Sequence, residues 1–311
     1  MPLFWNRKVI LAKIETSYGT DAAPTGADNA VLALNITLAP MEGEDVARGL
    51  ERPTLGADAT IPAGLHAKLS FEVETAPSGT AGTAPAWGPL LRACAVAQVV
   101  SAGVSVAYNP ISTAHESATL HFFVDGTRYA LTGARGTAKL MFAASAVPKF
   151  MFEMTGLFTQ PVAVANPTPT LTAWMDPQIV SDATTPTCSF NAVDLVMRSL
   201  EFDLGNQIAP RFLVNSESIL IPQRSEKIAA VVEAVPLATL NPYALAAAQT
   251  TAALSLVHGT GAGRITTLAV PRAQIQRPQG LSNQDGLVEW PLSFVPLPGT
   301  AGNDQWTLTL T

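Results

Sequence analysis

Charge is scarce in this chain. Asp, Glu, Lys and Arg supply 14% of its 311 residues, against 48% hydrophobic residues, where an ordinary soluble domain is roughly 25% charged. A surface so poor in charge is either covered by partners or built from neutral loops rich in Gly, Pro and Thr. The net charge of −6 and pI near 5.2 exclude a nucleic-acid grip, because phosphate contacts need clustered Lys and Arg. No such cluster is present.

Cysteine is scarcer still. Cys94 and Cys188 are the two cysteines, and they form neither a metal-binding spacing nor a disulfide framework. Cys94 lies in an apolar helical pattern and reads as a small buried hydrophobe, with a reactive thiol as the alternative. No run of about 18 apolar residues offers a membrane-spanning helix, and Met1 to Leu11 lacks the apolar core of a signal peptide. These absences lead to the expectation of a protein made and assembled in a cytoplasm, where the Asn35-Ile36-Thr37 sequon carries no glycan.

Catalytic patterns are missing too. The histidines His66, His115, His121 and His258 form no His-x-x-x-His or Glu-x-x-His pair, and a histidine such as His121 within a strand is explained by packing or one hydrogen bond. Gly259-Thr260-Gly261-Ala262-Gly263-Arg264 lacks the Lys-Ser/Thr of a phosphate loop and lies between strands, so it reads as a hairpin turn. No Gly-x-Ser-x-Gly elbow occurs. The expectation is a protein with no cofactor, no metal and no enzymatic activity.

What the sequence does contain is a duplication. A strand-like run at Val31–Leu38 leads to a long polar loop with Arg48-Gly49-Leu50, an alternating strand at Lys68–Glu74, and a short apolar helix from Trp87 to Ala97. A hairpin at Asp125-Gly126 and two strands ending near Phe158 complete the first pass. The second pass runs Leu200–Leu204, a loop with Arg211-Phe212-Leu213, a strand at Ile228–Val235 and a helix opening at Asn241-Pro242 and running to about Gln249. It closes with a hairpin through Gly259–Gly263 and strands ending near Val295. The order of elements is kept although few identities survive, as expected of one supersecondary unit used twice.

Period-two alternation dominates both passes. Leu69, Phe71 and Val73 alternate with Lys68, Ser70, Glu72 and Glu74, giving one buried and one wet face. Asp125-Gly126 supplies the positive φ of a tight primed turn. Trp87, Leu90, Leu91 and Cys94 form an apolar helical stripe, and Asn241 followed by Pro242 is an N-cap with proline at N1. The pattern predicts residues 1–29 as an extended N-terminal arm with Phe4 and Trp5 at its tip, free to cap its own core or dock on a neighbour. Residues 30–159 form the first unit, 160–186 a stiff Pro/Thr-rich connector, and 187–311 the second unit. Pro40 to Leu65 reads as a loop of roughly 25 residues, long enough to be functional or disordered. Its Glu42, Glu44, Asp45, Arg48, Glu51, Arg52 and Asp58 suit a rim that docks on another subunit.

Four stretches carry a family resemblance. They are Lys13-Ile14-Glu15-Thr16-Ser17-Tyr18-Gly19-Thr20-Asp21-Ala22-Ala23-Pro24, Trp87-Gly88-Pro89-Leu90-Leu91-Arg92-Ala93-Cys94, Leu131-Thr132-Gly133-Ala134-Arg135-Gly136 and Phe202-Asp203-Leu204-Gly205-Asn206. In this order, over nearly the whole chain, they resemble the major tail tube proteins of long-tailed, non-contractile bacteriophages. An apolar helix beside an antiparallel sheet, twice over, suggests a mainly β fold of two tandem antiparallel β-sandwich or barrel units, each flanked by a short helix, and the resemblance implies a β-sandwich with a flanking helix. It further implies rings, usually of six units, stacked into a hollow tube for genome delivery. It implies a virion location in the phage tail, and tape-measure, tail-tip and tail-terminator proteins as partners, with no membrane.

Glu72, Glu74, Glu201, Asp203 and Glu233 are candidates for the lumen face, where acidic side chains keep passing DNA from sticking. Because one chain carries two units, three chains are expected to complete a pseudo-sixfold ring, with homohexameric rings as the alternative. The charged loop and the arm would then bridge neighbouring rings. A carbohydrate- or surface-binding β-sandwich module, an adhesin or baseplate part, is the competing reading. Its support is the scattered tryptophans Trp5, Trp87, Trp174, Trp290 and Trp306.

Overall fold

The computed structural model describes residues 2–311. The first unit comprises β1 (Lys8–Ile14), β2 (Ala30–Val31), β3 (Ala33–Ala47), β4 (Thr60–Glu74), α1 (Gly88–Arg92), β5 (Val96–Ser101), β6 (Ser105–Pro110), β7 (Ala118–Val124), β8 (Thr127–Ala143) and β9 (Lys149–Phe158). A connector with the short β10 (Val162–Ala163) follows. The second unit comprises β11 (Thr187–Phe190), β12 (Val193–Asp194), β13 (Met197–Asp203), β14 (Asn206–Leu213), β15 (Ser216–Arg224), β16 (Lys227–Glu233), α2 (Pro242–Ala247), β17 (Thr251–His258), β18 (Thr266–Ile275), β19 (Ser282–Gln284), β20 (Leu287–Pro296) and β21 (Thr307–Leu310).

Strand pairing repeats the duplication seen in the element order. In the first unit β1 pairs with β7, β7 with β8, β8 with β9, β9 with β4, and β4 with β3. In the second, β11 pairs with β17, β17 with β18, β18 with β20, β20 with β16, and β16 with β13. All these ladders are antiparallel. The two units meet where β8 pairs with β13, Lys139 opposite Asp203 and Ala143 opposite Ser199. One sheet therefore runs β3–β4–β9–β8–β13–β16–β20 through both units, ending on β18 and β19. It does not close on itself.

Alternation decides which face of this sheet is buried. Phe71 on β4, Phe152 on β9, Leu140 on β8, Phe202 on β13, Val232 on β16 and Leu292 on β20 all point inward and are buried. They form a single apolar cluster that includes residues of both units. Aromatic pairs hold it, with Trp87 and Phe150 centroids 4.9 Å apart and Phe190 and Phe294 4.8 Å apart. Each such side chain contributes about 1.5–3 kcal/mol on burial. The C-terminal strand ties the units again, since β21 pairs with β18 on one side and with β6 of the first unit on the other.

Several expectations are corrected. The stretch Pro40–Leu65 is not a loop of 25 residues: β3 and β4 pair out to Ala47 and Thr60, so only residues 48–59 are irregular. Register shifts between Ala39 and Glu42 and between Glu42 and Glu44 break the alternation that would have revealed the strands. The loop with Arg211-Phe212-Leu213 is likewise the paired hairpin β14–β15, turning at Val214 and Asn215, the latter with φ of 65°. The first helix ends at Arg92; Ala95 with φ of 60° stops it, and the β-branched Val96, Val99 and Val100 continue as β5. α2 is shorter than expected, although Asn241 caps it by accepting from the Ala244 amide at 2.9 Å. Within the stretch read as an arm, β1 is a full partner of β7, leaving residues 2–7 and 15–29 outside the sheet.

Candidate assembly site

Three of the four stretches singled out in the sequence converge directly on the joint between units, and the fourth is held against them. Asn206 is buried, and its side-chain amide donates to the carbonyls of Cys94 at 2.7 Å and Gly136 at 3.0 Å. Glu15, also buried, accepts from the Gly133 amide at 2.7 Å, the Gly19 amide at 2.8 Å, Ser117 Oγ at 2.6 Å and Thr119 Oγ1 at 2.8 Å. That network presses Tyr18 over Gly133, where an added Cβ would lie 2.8 Å from the phenol ring. A buried carboxylate needs such a set of donors.

The hairpin β14–β15 belongs to the second unit but lies over the first. Arg135 on β8 donates to the Ile219 carbonyl at 2.8 Å, and its guanidinium sits 4.8 Å from the centroid of the Tyr18 ring. Phe212 stacks on His66, centroids 6.1 Å apart, and Arg224 donates to the Ala95 carbonyl at 3.1 Å. Ile219 and Ile221 are consequently buried. Burial lowers the pKa of Arg135 and raises that of Tyr18 from their ordinary values. The polar groups around this hairpin thus clamp one unit onto the other.

The five acidic candidates share one face of the continuous sheet, opposite the core. Glu201 lies opposite Met141 and Ala229, Asp203 opposite Lys139 and Lys227, Glu233 opposite Glu289, and Glu72 opposite Met151; Glu74 follows two residues after Glu72 on the same side. Lysines that composition alone did not place interrupt this face. Lys139 Nζ lies 3.1 Å from Asp203 and 3.5 Å from Glu201, and Lys149 Nζ lies 3.2 Å from Glu72. The hydrogen bond to Asp203, then its charge, holds the Lys139 ammonium above its ordinary pKa despite partial burial. The face keeps an acidic excess: Glu74, Glu153 and Glu233 have no salt-bridge partner among the described residues, against Lys227 among its lysines.

The remaining candidates do not form one cluster. Glu42 pairs with Lys68 at 3.6 Å on the β3–β4 ladder, and Glu44 and Asp45 continue that ladder. In the tip, Arg52 and Asp58 pair at 3.0 Å, and Asp58 also accepts from the Leu50 amide at 3.1 Å; Arg48 and Glu51 are exposed. Phe4 and Trp5 are 60% and 62% exposed, yet their backbone is pinned to the β7–β8 turn. Asp125 accepts from the Phe4 amide at 2.7 Å and from Arg7 at 3.0 Å, and Lys8 Nζ lies 3.5 Å over the Trp5 ring. The Phe4 amide and the Arg7 guanidinium hold the Asp125 carboxyl below its ordinary pKa.

Among the described residues, no group of three or more His, Cys, Asp and Glu is placed to hold a metal ion. His121 lies 3.1 Å from Asp21 and is held by that contact and its packing, with burial lowering its pKa. Cys94 is buried with its thiol pKa pushed far up, and burial raises that of Cys188 to about 11, so neither is a reactive thiolate. Among the described residues no helix is long and apolar enough to cross a membrane. Of the tryptophans, Trp87, Trp290 and Trp306 are buried, and Trp174 donates its indole N–H to the Ala30 carbonyl at 2.9 Å. No curated protein matches the chain. A family model described as phage tail tube protein matches residues 5–301.

Proposed function

The chain belongs to the phage tail tube protein family, and on that premise we propose that its copies stack as rings into the hollow conduit of a phage tail, three chains to a ring. The observation that carries the reading is the β8–β13 joint. It welds two like units edge to edge into one sheet with one buried and one open face, which is the form of a segment of tube wall. Three such segments supply six units, and the ring is heterologous and closed. The open face lines the lumen, where the acidic excess of Glu74, Glu153 and Glu233 keeps passing genomic DNA from adhering.

The protein is a virion component of the tail, assembled in the host cytoplasm. The irregular tip at 48–59 and the exposed Phe4 and Trp5 contact adjacent rings. At the tube ends the same surfaces meet tail-tip and terminator proteins, and the lumen holds the tape-measure protein before ejection. A glycan-binding role gains nothing from the tryptophans, since three of the five are core residues. Electron microscopy of the purified protein tests the reading. Tubes or rings with three chains per layer are expected. Layers of six full-length chains would leave the tube and overturn the stoichiometry, and failure to form any ring or tube would overturn the function.

A further inference from the structure

The joint inside one chain is also a template for the joint between chains. β13 uses both edges: it pairs with β16 on one side and with β8 of the first unit on the other. Its counterpart by pairing order is β3, which stands next to β4 as β13 stands next to β16, and β3 pairs with β4 alone. The partner edge shows the same asymmetry. The stretch of β8 near the β8–β9 turn carries β13. In the second unit the strand at the same place, before the turn into β20, is β19, and it pairs with β20 alone. Among the described residues, each chain thus ends in one unpaired edge of each kind.

The hairpins repeat the asymmetry. β14–β15 prolongs β13 and β16 and lies over the first unit, which buries Ile219 and Ile221. The outer half of β3–β4 prolongs the same two sheet positions, but beyond His66, which stacks on Phe212, its outermost residues are exposed. Val46 and Ile61 face each other across it and are 49% and 56% exposed. Beside β19, Leu281 and Leu287 are 62% and 56% exposed. Bare edge strands and bare apolar side chains are hazards that folded chains usually cover, and here each has a counterpart that is covered by the other unit.

We propose that Thr37–Ala39 of β3 in one chain pairs antiparallel with Ser282–Gln284 of β19 in the next, and that the β3–β4 hairpin lies across that neighbour's second unit. Side-chain faces are preserved: Thr37 and Ala39 lie opposite Ser70 and Lys68 on the open face, and Ser282 lies opposite Glu289, itself opposite Glu233. The contact is head to tail and uses a different surface at each end, the kind of interface from which rings are built. It rests on the tube reading and says which surfaces close the wall.

The test is cysteine cross-linking of assembled protein. Cysteines replace Thr37 or Ala39 together with Ser282 or Gln284, in the four pairwise combinations, with each single variant as control. At least one combination is expected to give disulfide-linked dimers and trimers on mild oxidation of rings, and none in the singles. Should a variant fail to assemble, hydrogen exchange on the unaltered protein decides. Amides in residues 37–39 and 282–284 are expected to exchange about tenfold or more slowly in rings than in free chains. Rings that form with no cross-link in any combination and with these amides still fast would overturn the pairing while leaving the tube intact. Absence of rings from the unaltered protein would instead overturn the tube reading on which the pairing rests.

Discussion

The Ile219 amide, in the second unit, donates to the hydroxyl of Tyr18, in the N-terminal segment of the first, at 2.5 Å. This bond spans 201 positions of sequence and anchors the crossing hairpin where Arg135 grips the Ile219 carbonyl. Tyr18→Phe keeps the ring under Arg135 but leaves a buried N–H without a partner. A loss of about 1–3 kcal/mol in denaturant unfolding is expected, with faster hydrogen exchange concentrated in residues 216–224. A stability loss without that local change would contradict the clamp.

Asn206 is the second anchor. Asn206→Asp removes both donors and sets a carboxylate against the Cys94 and Gly136 carbonyls. A loss of about 3 kcal/mol or more is expected near neutral pH. Thermal melting checks it, and a near-neutral effect would remove Asn206 from the clamp.

Stability should fall on mild acidification. Burial lowers the pKa of His115, His121 and His258 below the ordinary 6.5. The unfolded chain therefore binds protons that the folded chain refuses, and stability is lost as pH falls through about 6.5 toward the folded values. Denaturation midpoints should decline between about pH 7.5 and about pH 5.5, before most carboxylates titrate. His121→Asn should flatten part of the slope; an unchanged slope in that variant would remove His121 from the account.

The open face predicts a charge effect on passage. Glu153→Lys with Glu233→Lys should leave assembly intact, because both side chains point away from the core and neither makes an ion pair among the described residues. Tubes of this variant should retain DNA at low salt and release it as salt rises. Equal DNA retention by altered and unaltered tubes would place this face outside the lumen.

Replacing residues 48–59 by a short turn should separate ring closure from stacking. The β3–β4 ladder ends at Ala47 and Thr60, so the fold and its melting temperature should persist. Rings are expected, with tubes lost or much shortened under electron microscopy. Full-length tubes would show that stacking uses other surfaces.

How much of this was legible in the sequence depended on local regularity. The Asp125-Gly126 turn, the alternation of β4 and the Asn241 cap were readable because each is fixed by neighbouring residues. The long β3–β4 hairpin was not, since Pro40, Gly43 and Gly64 interrupt alternation at register shifts that only pairing across the ladder reveals. Glu72, Glu74, Glu201, Asp203 and Glu233 were found on one face because strand parity is local. Their lysine neighbours Lys139 and Lys149 were missed, because that proximity comes from register between strands far apart in sequence. The clamp at Tyr18, Arg135 and Asn206 lay inside stretches singled out for their resemblance, but nothing in their spacing showed that they meet.

The central claim is that two units fused in one chain make a third of a ring. Cryo-electron microscopy of assembled protein measures it directly, by counting chains in one layer of the wall. Three chains per layer, six fold units around the lumen and continuous sheet across every joint are the predicted result. Six full-length chains per layer would contradict it.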